Sequence, residues 1–132
     1  MKEILDSKFL LTHYGAKDED VISRTRTKLA DLRKERRGVL PSIVIAEVAN
    51  AICQEAGRAE ALAKLRALEH AGLEVVQLDP ELAREAGFLQ CMHRDLPMAD
   101  CVIAATALRL RGRVVSDDPH FSKIRGLRTT WI

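Results

Sequence analysis

At 132 residues, with 47% hydrophobic and 30% charged residues, the chain has the composition of one globular domain that can bury its own core, which excludes a disordered segment. The net charge of +2 is close to balance, so any partner held by charge must meet local clusters of bases rather than the surface as a whole. No apolar run reaches bilayer-spanning length and the N-terminus has no signal-peptide core, so a cytoplasmic protein with no membrane partner is expected.

In chain order, "KEILDS" reads as a short buried strand ending in an acid. From Asp18 to about Arg37, Val21, Ile22, Leu29 and Leu32 recur near helical spacing. Acids open this segment, Arg36 and Arg37 close it, and Gly38 is expected to stop the helix. "VLPS" is a brief strand, after which Ser42 is expected to cap a helix to about Ala56; a second helix runs from Arg58 to Ala71, before Gly72. "LEVVQL" has the β-branched content of a strand, and Asp79-Pro80 starts a helix to about Met92. Pro97 opens a further helix, Gly112 ends it, "RVVS" is a strand, and a last strand lies in "LRTTWI". Short strands alternating with helices predict an α/β domain over residues 1–132 with a mostly parallel sheet. Three cysteines, Cys53, Cys91 and Cys101, contain no Cys-x-x-Cys pair, which excludes a zinc knot and a disulfide framework; they read as small core residues.

Four acids stand out by position. Asp6 and Asp118 each follow a strand, and in an open parallel sheet the carboxyl ends of the strands border the crevice where ligands bind. Asp100 lies in the first turn of its helix, and Glu47 about a turn and a half into the helix after "VLPS". Each has an ordinary alternative: Asp100 as a helix-dipole partner, Glu47 as one of a polar stripe with Asn50 and Gln54, Asp6 and Asp118 as caps, with Asp117 as a spare acid. The apolar setting weighs against these. "IVIA" precedes Glu47 and "CVIAATAL" follows Asp100, and an unpaired buried carboxylate costs several kcal/mol. Acids gathered in one cleft need a cation, and an oxygen-only ligand set selects Mg²⁺ or Mn²⁺ over zinc. His120 lies beside the site and reads as a loop residue, while His13, His70 and His93 show no ligand spacing.

These residues, in this order, resemble the PIN-domain ribonucleases of the VapC toxin type over essentially the whole chain. The blocks are "ILDSKFLL" with Asp6, "LPSIVIAEVANAI" with Glu47, "ADCVIAATAL" with Asp100, and "SDDPHF", which aligns Ser116 to the family's Thr and Asp118 rather than Asp117 to its acid. The resemblance implies a three-layer α/β/α sandwich and cleavage of RNA phosphodiesters with Mg²⁺ or Mn²⁺. It also implies a small antitoxin partner and a homodimer. Asp6, Glu47, Asp100 and Asp118 would be the metal-binding and catalytic acids, with Ser7, Lys8, Ser116 and Asp117 beside them. Lys8 departs from the pattern, which has a small polar residue there. Its ammonium is expected either to reach Asp6 or Asp118 and compete with a metal, or to start the next helix and point into water.

Two groups of bases are candidate phosphate contacts: Arg24, Arg26, Lys28, Arg33, Lys34, Arg36 and Arg37, and a second group in which Arg109, Arg111 and Lys123 are the leading RNA contacts. An aromatic content of 4% leaves few stacking platforms, so recognition by RNA shape and phosphate is expected. The helices from Ser42 to Ala71 carry enough Ala, Leu and Ile for a core face and a partner groove. Two rival readings stand beside the nuclease. One is a receiver-like signalling module with Asp79 as phosphoacceptor; the other is a PIN scaffold of weakened activity that binds RNA or protein.

Overall fold

Ile4 and Leu5, Val39 and Leu40, and Val114 and Val115 are fully buried, and these pairs form the centre of one sheet in the computed structural model, which describes residues 1–132. The five strands are β1 (Glu3–Leu5), β2 (Gly38–Pro41), β3 (Glu74–Val76), β4 (Arg113–Val115) and β5 (Arg128–Thr130), all parallel, in the order β3-β2-β1-β4-β5. Strands so short can be apolar on both faces only if helices cover both, and the result is a three-layer α/β/α sandwich. The helices are α1 (Ser7–Gly15), α2 (Glu19–Glu35), α3 (Ser42–Ala56), α4 (Arg58–Glu69), α5 (Pro80–Met92) and α6 (Met98–Leu110). None is long and apolar enough to cross a membrane.

The last of these helices explains the longest apolar run. Every residue of α6 from Cys101 to Ala107 is buried, and its one polar side chain there, Thr106, donates its hydroxyl to the Val102 carbonyl at 2.8 Å. A helix hydrophobic all round belongs in a core. Asp100 stands at the point where that core begins.

Several local expectations need correction. Helix α1, expected only as the alternative in which Lys8 starts a helix, begins one residue earlier at Ser7 and runs nine residues, and the Asp6 side chain at its N-cap makes no capping bond. Gly38 and Gly112 do not end helices. Arg36 and Arg111 do, each adopting the left-handed conformation with φ of 54° and 53°. The glycines serve close packing instead: a Cβ on Gly112 would lie 2.5 Å from the Lys2 carbonyl oxygen, and one on Gly38 would strike the Leu73 side chain. Ser42 is the first residue of α3 rather than its cap, and its hydroxyl accepts the Leu78 N–H at 3.2 Å. Of the cysteines only Cys101 is a core residue; Cys53 and Cys91 sit on exposed helix faces.

The amino end of β1 holds a carboxylate that sequence reading passed over. Glu3 is fully buried and is met by Lys28 at 2.6 Å, Arg37 at 3.0 Å and Arg113 at 2.9 Å. Burial alone would push its carboxyl up, but the hydrogen bonds from Lys28, Arg113 and Arg37 outweigh that and hold the pKa at about 2. Lys28 and Arg37 are therefore structural cations, not free phosphate contacts.

Candidate metal centre

At the opposite, carboxyl end of the sheet the charges are reversed: carboxylates gather and cations stay at the rim. Asp6 follows β1 directly and is buried. Ser116, which follows β4, donates its hydroxyl to Asp6 Oδ2 at 2.7 Å, while the Ser7 hydroxyl lies 3.4 Å from Oδ1. Ser116 Oγ also accepts the Asp118 N–H at 3.1 Å. The two residues thus lace together the ends of β1 and β4, the adjacent strands where the chain reverses its direction of travel across the sheet. Such a reversal point is where α/β sheets open a crevice.

Two helices bring the remaining acids. Asp100, in the first turn of α6, and Glu47, in α3, line the same open cleft as Asp6, Ser7, Lys8, Asp118 and His120, with a volume of about 620 Å³. Glu47 Oε1 is buried without a hydrogen-bond partner. The polar stripe expected of Glu47 begins only beyond it, where Gln54 donates to Asn50 at 2.8 Å. Asp118 does cap the short 3₁₀ turn Pro119–Lys123, accepting the His120 N–H at 2.9 Å, but its side chain also faces the cleft.

His120 is the residue that sequence reasoning underrated. Its Nδ1 lies 3.1 Å from Asp100 Oδ2 and 3.3 Å from Asp118 Oδ1, joining the two acids from different elements. The available signal was its position two residues after Asp118, inside a turn that the Asp118 cap and Pro119 fix.

Burial, reinforced by neighbouring like charge, sets the electrostatics of the cleft. Burial pushes Asp6 up to about 6; the Ser116 hydrogen bond opposes this, and the charges of Asp100 and Glu47 reinforce it. Glu47 is raised by burial and by Asp100, partly offset by Ser7; Asp100 is raised by burial and by Asp118, partly offset by His120. A native Asp6 that keeps its proton longer than the unfolded chain makes the cation-free fold lose stability as pH rises from about 4, the unfolded value, to about 6. The loss is on the order of 3 kcal/mol. Asp6→Asn should therefore raise the melting temperature by several degrees at pH 7.5 in chelator, with the gain shrinking towards pH 4. A lower melting temperature at pH 7.5 would contradict this reading of Asp6.

Lys8 does not reach Asp6 or Asp118. It pairs with Asp117 at 2.9 Å, and both side chains are roughly half exposed, at 50% and 43%. With α1 starting at Ser7, Lys8 stands at the rim, where water screens its charge from the acids below. Lys8→Ser should change Mn²⁺ affinity by less than about threefold, instead of the roughly tenfold to hundredfold gain expected on removing a competing ammonium. A tenfold gain in calorimetry would restore the competitor role.

The candidate RNA contacts separate. Arg109 is held by Asp79 at 2.8 and 3.0 Å, and Arg109 and Arg111 lie at the far end of α6, about 14 Å along its axis from Asp100. Lys123 closes the turn that carries His120 and pairs with Asp95, leaving it nearer the cleft. Asp79 fails as a phosphoacceptor: it caps α5 through the Leu82 N–H at 2.7 Å, Arg109 holds its carboxyl far below the usual range, and it follows the edge strand β3.

The profile of the PIN domain matches residues 4–127, and the chain belongs to that family. Among solved structures, VapBC2 from Rickettsia felis, bound to a DNA fragment from their promoter, aligns over 100% of this chain and 99% of its own, with a TM-score of 0.79 at 17% identity. DNA-bound VapBC from Salmonella typhimurium covers 99% of this chain and 98% of its own, at TM-score 0.78 and 20% identity. VapC20 of Mycobacterium tuberculosis, described as a sarcin-ricin loop cleaving toxin, covers 92% and 94% with a TM-score of 0.69 at 16% identity. At these identities the likeness establishes the fold. No curated protein matches the chain significantly.

Proposed function

We propose that this chain is a metal-dependent endoribonuclease, the toxin of a VapBC-type pair, in which Asp6, Glu47, Asp100 and Asp118 hold Mg²⁺ or Mn²⁺. The observation that carries the reading is the cleft itself: acids from separate segments converge there, Asp6 is buried, and Glu47 Oε1 has no partner. Carboxylates gathered in one cleft, with Asp6, Glu47 and Asp100 raised by burial and further by neighbouring acids, suit a divalent ion with oxygen ligands. Bound between them, Mg²⁺ or Mn²⁺ would supply positive charge for the scissile phosphate and acidify the attacking water.

The protein's own contribution is orientation. Ser116 fixes Asp6 Oδ2 and the Asp118 backbone together, so the two strand-end acids keep their separation when a substrate arrives. Asp100 is anchored by the rigid, buried body of α6. Ser7 supports Asp6 at the mouth, and Asp117 pairs with Lys8 at the exposed rim. Of the three leading base candidates, Lys123 is on the turn that carries His120, where it pairs with Asp95. Incubating the purified protein with a structured RNA pool in Mg²⁺, in Mn²⁺ and in chelator tests this reading: cleavage is expected in either metal and none in chelator. Cleavage that persists in chelator would overturn it, and no cleavage in any condition would favour the inactive scaffold.

The VapBC neighbours support an antitoxin partner. An apolar groove between α3 and α4, lined by Ala49, Cys53, Ala61, Leu62 and Leu65, fits the apolar face of a partner helix. For a homodimer, the supporting surface is Phe88 and Met92 on α5 with Met98 at the start of α6, exposed at 61%, 76% and 46%. Phe88→Glu with Met92→Glu should turn a dimer into a monomer in light scattering; a dimer that survives both would place the contact elsewhere.

A further inference from the structure

Resting on the metal-site reading above, we infer that His120 is itself a ligand of the ion, giving the centre one nitrogen donor among its carboxylates and a preference for Mn²⁺ over Mg²⁺. Three donor atoms, one each from Asp100, Asp118 and His120, lie within 4.8 Å of one another. The Nδ1 separations of 3.1 and 3.3 Å from the two carboxylate oxygens are close to the spacing of neighbouring ligands on one octahedral ion, about 3 Å for bonds near 2.1 Å.

The backbone prepares this placement. Asp118 accepts the His120 N–H, Pro119 between them fixes φ, and the 3₁₀ turn that follows carries Phe121 into the core. The His120 ring is therefore held on the cleft side by the residue that would share the ion with it. The ring nitrogen that would meet the cation already faces Asp100 Oδ2 at 3.1 Å, so it stands beside a carboxylate that would share the ion. Imidazole nitrogen suits first-row transition ions, whereas Mg²⁺ prefers oxygen throughout. The oxygen-only donor set expected from the sequence is thus revised at one position.

The test uses the full-length protein freed of metal and loaded with Mn²⁺ alone. Pulsed electron paramagnetic resonance of the Mn²⁺ complex should display modulation from a directly bound ¹⁴N that disappears in His120→Ala and His120→Gln. Calorimetry should find the two variants weakened roughly tenfold or more for Mn²⁺ and less than about threefold for Mg²⁺. The Gln variant keeps a polar side chain of similar reach, so a matching loss in both traces the effect to the imidazole rather than to a disturbed turn. Mn²⁺ that binds without nitrogen coupling, or with undiminished affinity in the variants, overturns the His120 assignment and leaves the carboxylate site standing. Failure of the wild-type protein to bind Mn²⁺ at all overturns the metal-site reading, and this inference with it.

Discussion

Asp100→Asn should lower RNA cleavage by roughly 10²-fold or more while the protein stays folded, a loss of about 2.7 kcal/mol or more in transition-state stabilisation. The substitution changes neither volume nor shape at the start of α6, so Cys101 to Ala107 remain packed. It removes one negative charge from the centre and leaves His120 and Asp118 without their charged neighbour. Because Asp100 is raised by burial and by Asp118, its loss also relieves repulsion, and the cation-free melting temperature should stay level or rise. Full activity with a lowered melting temperature would invert the account, making Asp100 a structural residue. Asp117→Asn is the matched control: Asp117 contacts only the rim residue Lys8, and cleavage should change little.

The largest effect on stability is expected at the other end of β1. Glu3→Gln leaves Lys28, Arg37 and Arg113 crowded around a neutral amide at a fully buried position, and breaking such a cluster costs about 3–5 kcal/mol. The linkage runs opposite to that of Asp6. With its pKa depressed from 4.5 to about 2, Glu3 stabilises the fold fully above the unfolded value, and the contribution is lost as pH falls from 4.5 towards 2. The wild-type protein should therefore weaken in acid over that window, while Glu3→Gln, already weakened, shows less of the decline. Denaturant melts at pH 7 and pH 3 measure both. Equal stability of the two proteins at pH 7 would mean that the three cations gain as much from water as from Glu3.

The two ends of β1 also mark what a single sequence can disclose. The placement of Asp6, Asp100 and Asp118 around one cleft was legible because it is local: an acid after a strand or in a first helical turn is directed by its own element. The strand-helix alternation was legible for the same reason, apart from α1, which spans only nine residues and gains no side-chain capping bond from Asp6. Glu3 was not legible, since its partners come from α2, the residue before β2 and β4, and only the folded sheet brings them together. His120 was half legible. Its distance from Asp118 is local, but its contact with Asp100, twenty residues away, is tertiary. The helix stops were misread because Gly is the ordinary left-handed residue, and here Arg36 and Arg111 take that role while the glycines admit neighbouring chain. Charge clusters proved the least readable: Lys28, Arg37 and Arg109 look free in the sequence and are paired in the structure.

If the acids of the cleft hold a divalent ion, the melting temperature at pH 7.5 should depend on Mn²⁺ concentration. A ligand that binds only the folded state stabilises it by about 2.7 kcal/mol at a hundred times its dissociation constant. A rise of several degrees is expected for the wild-type protein, reversed by chelator, and a much smaller rise for Asp6→Asn, whose cation-free form already starts higher. A wild-type melting temperature indifferent to Mn²⁺ and Mg²⁺ up to millimolar concentrations, with Asp6→Asn no more stable than wild type, would contradict it.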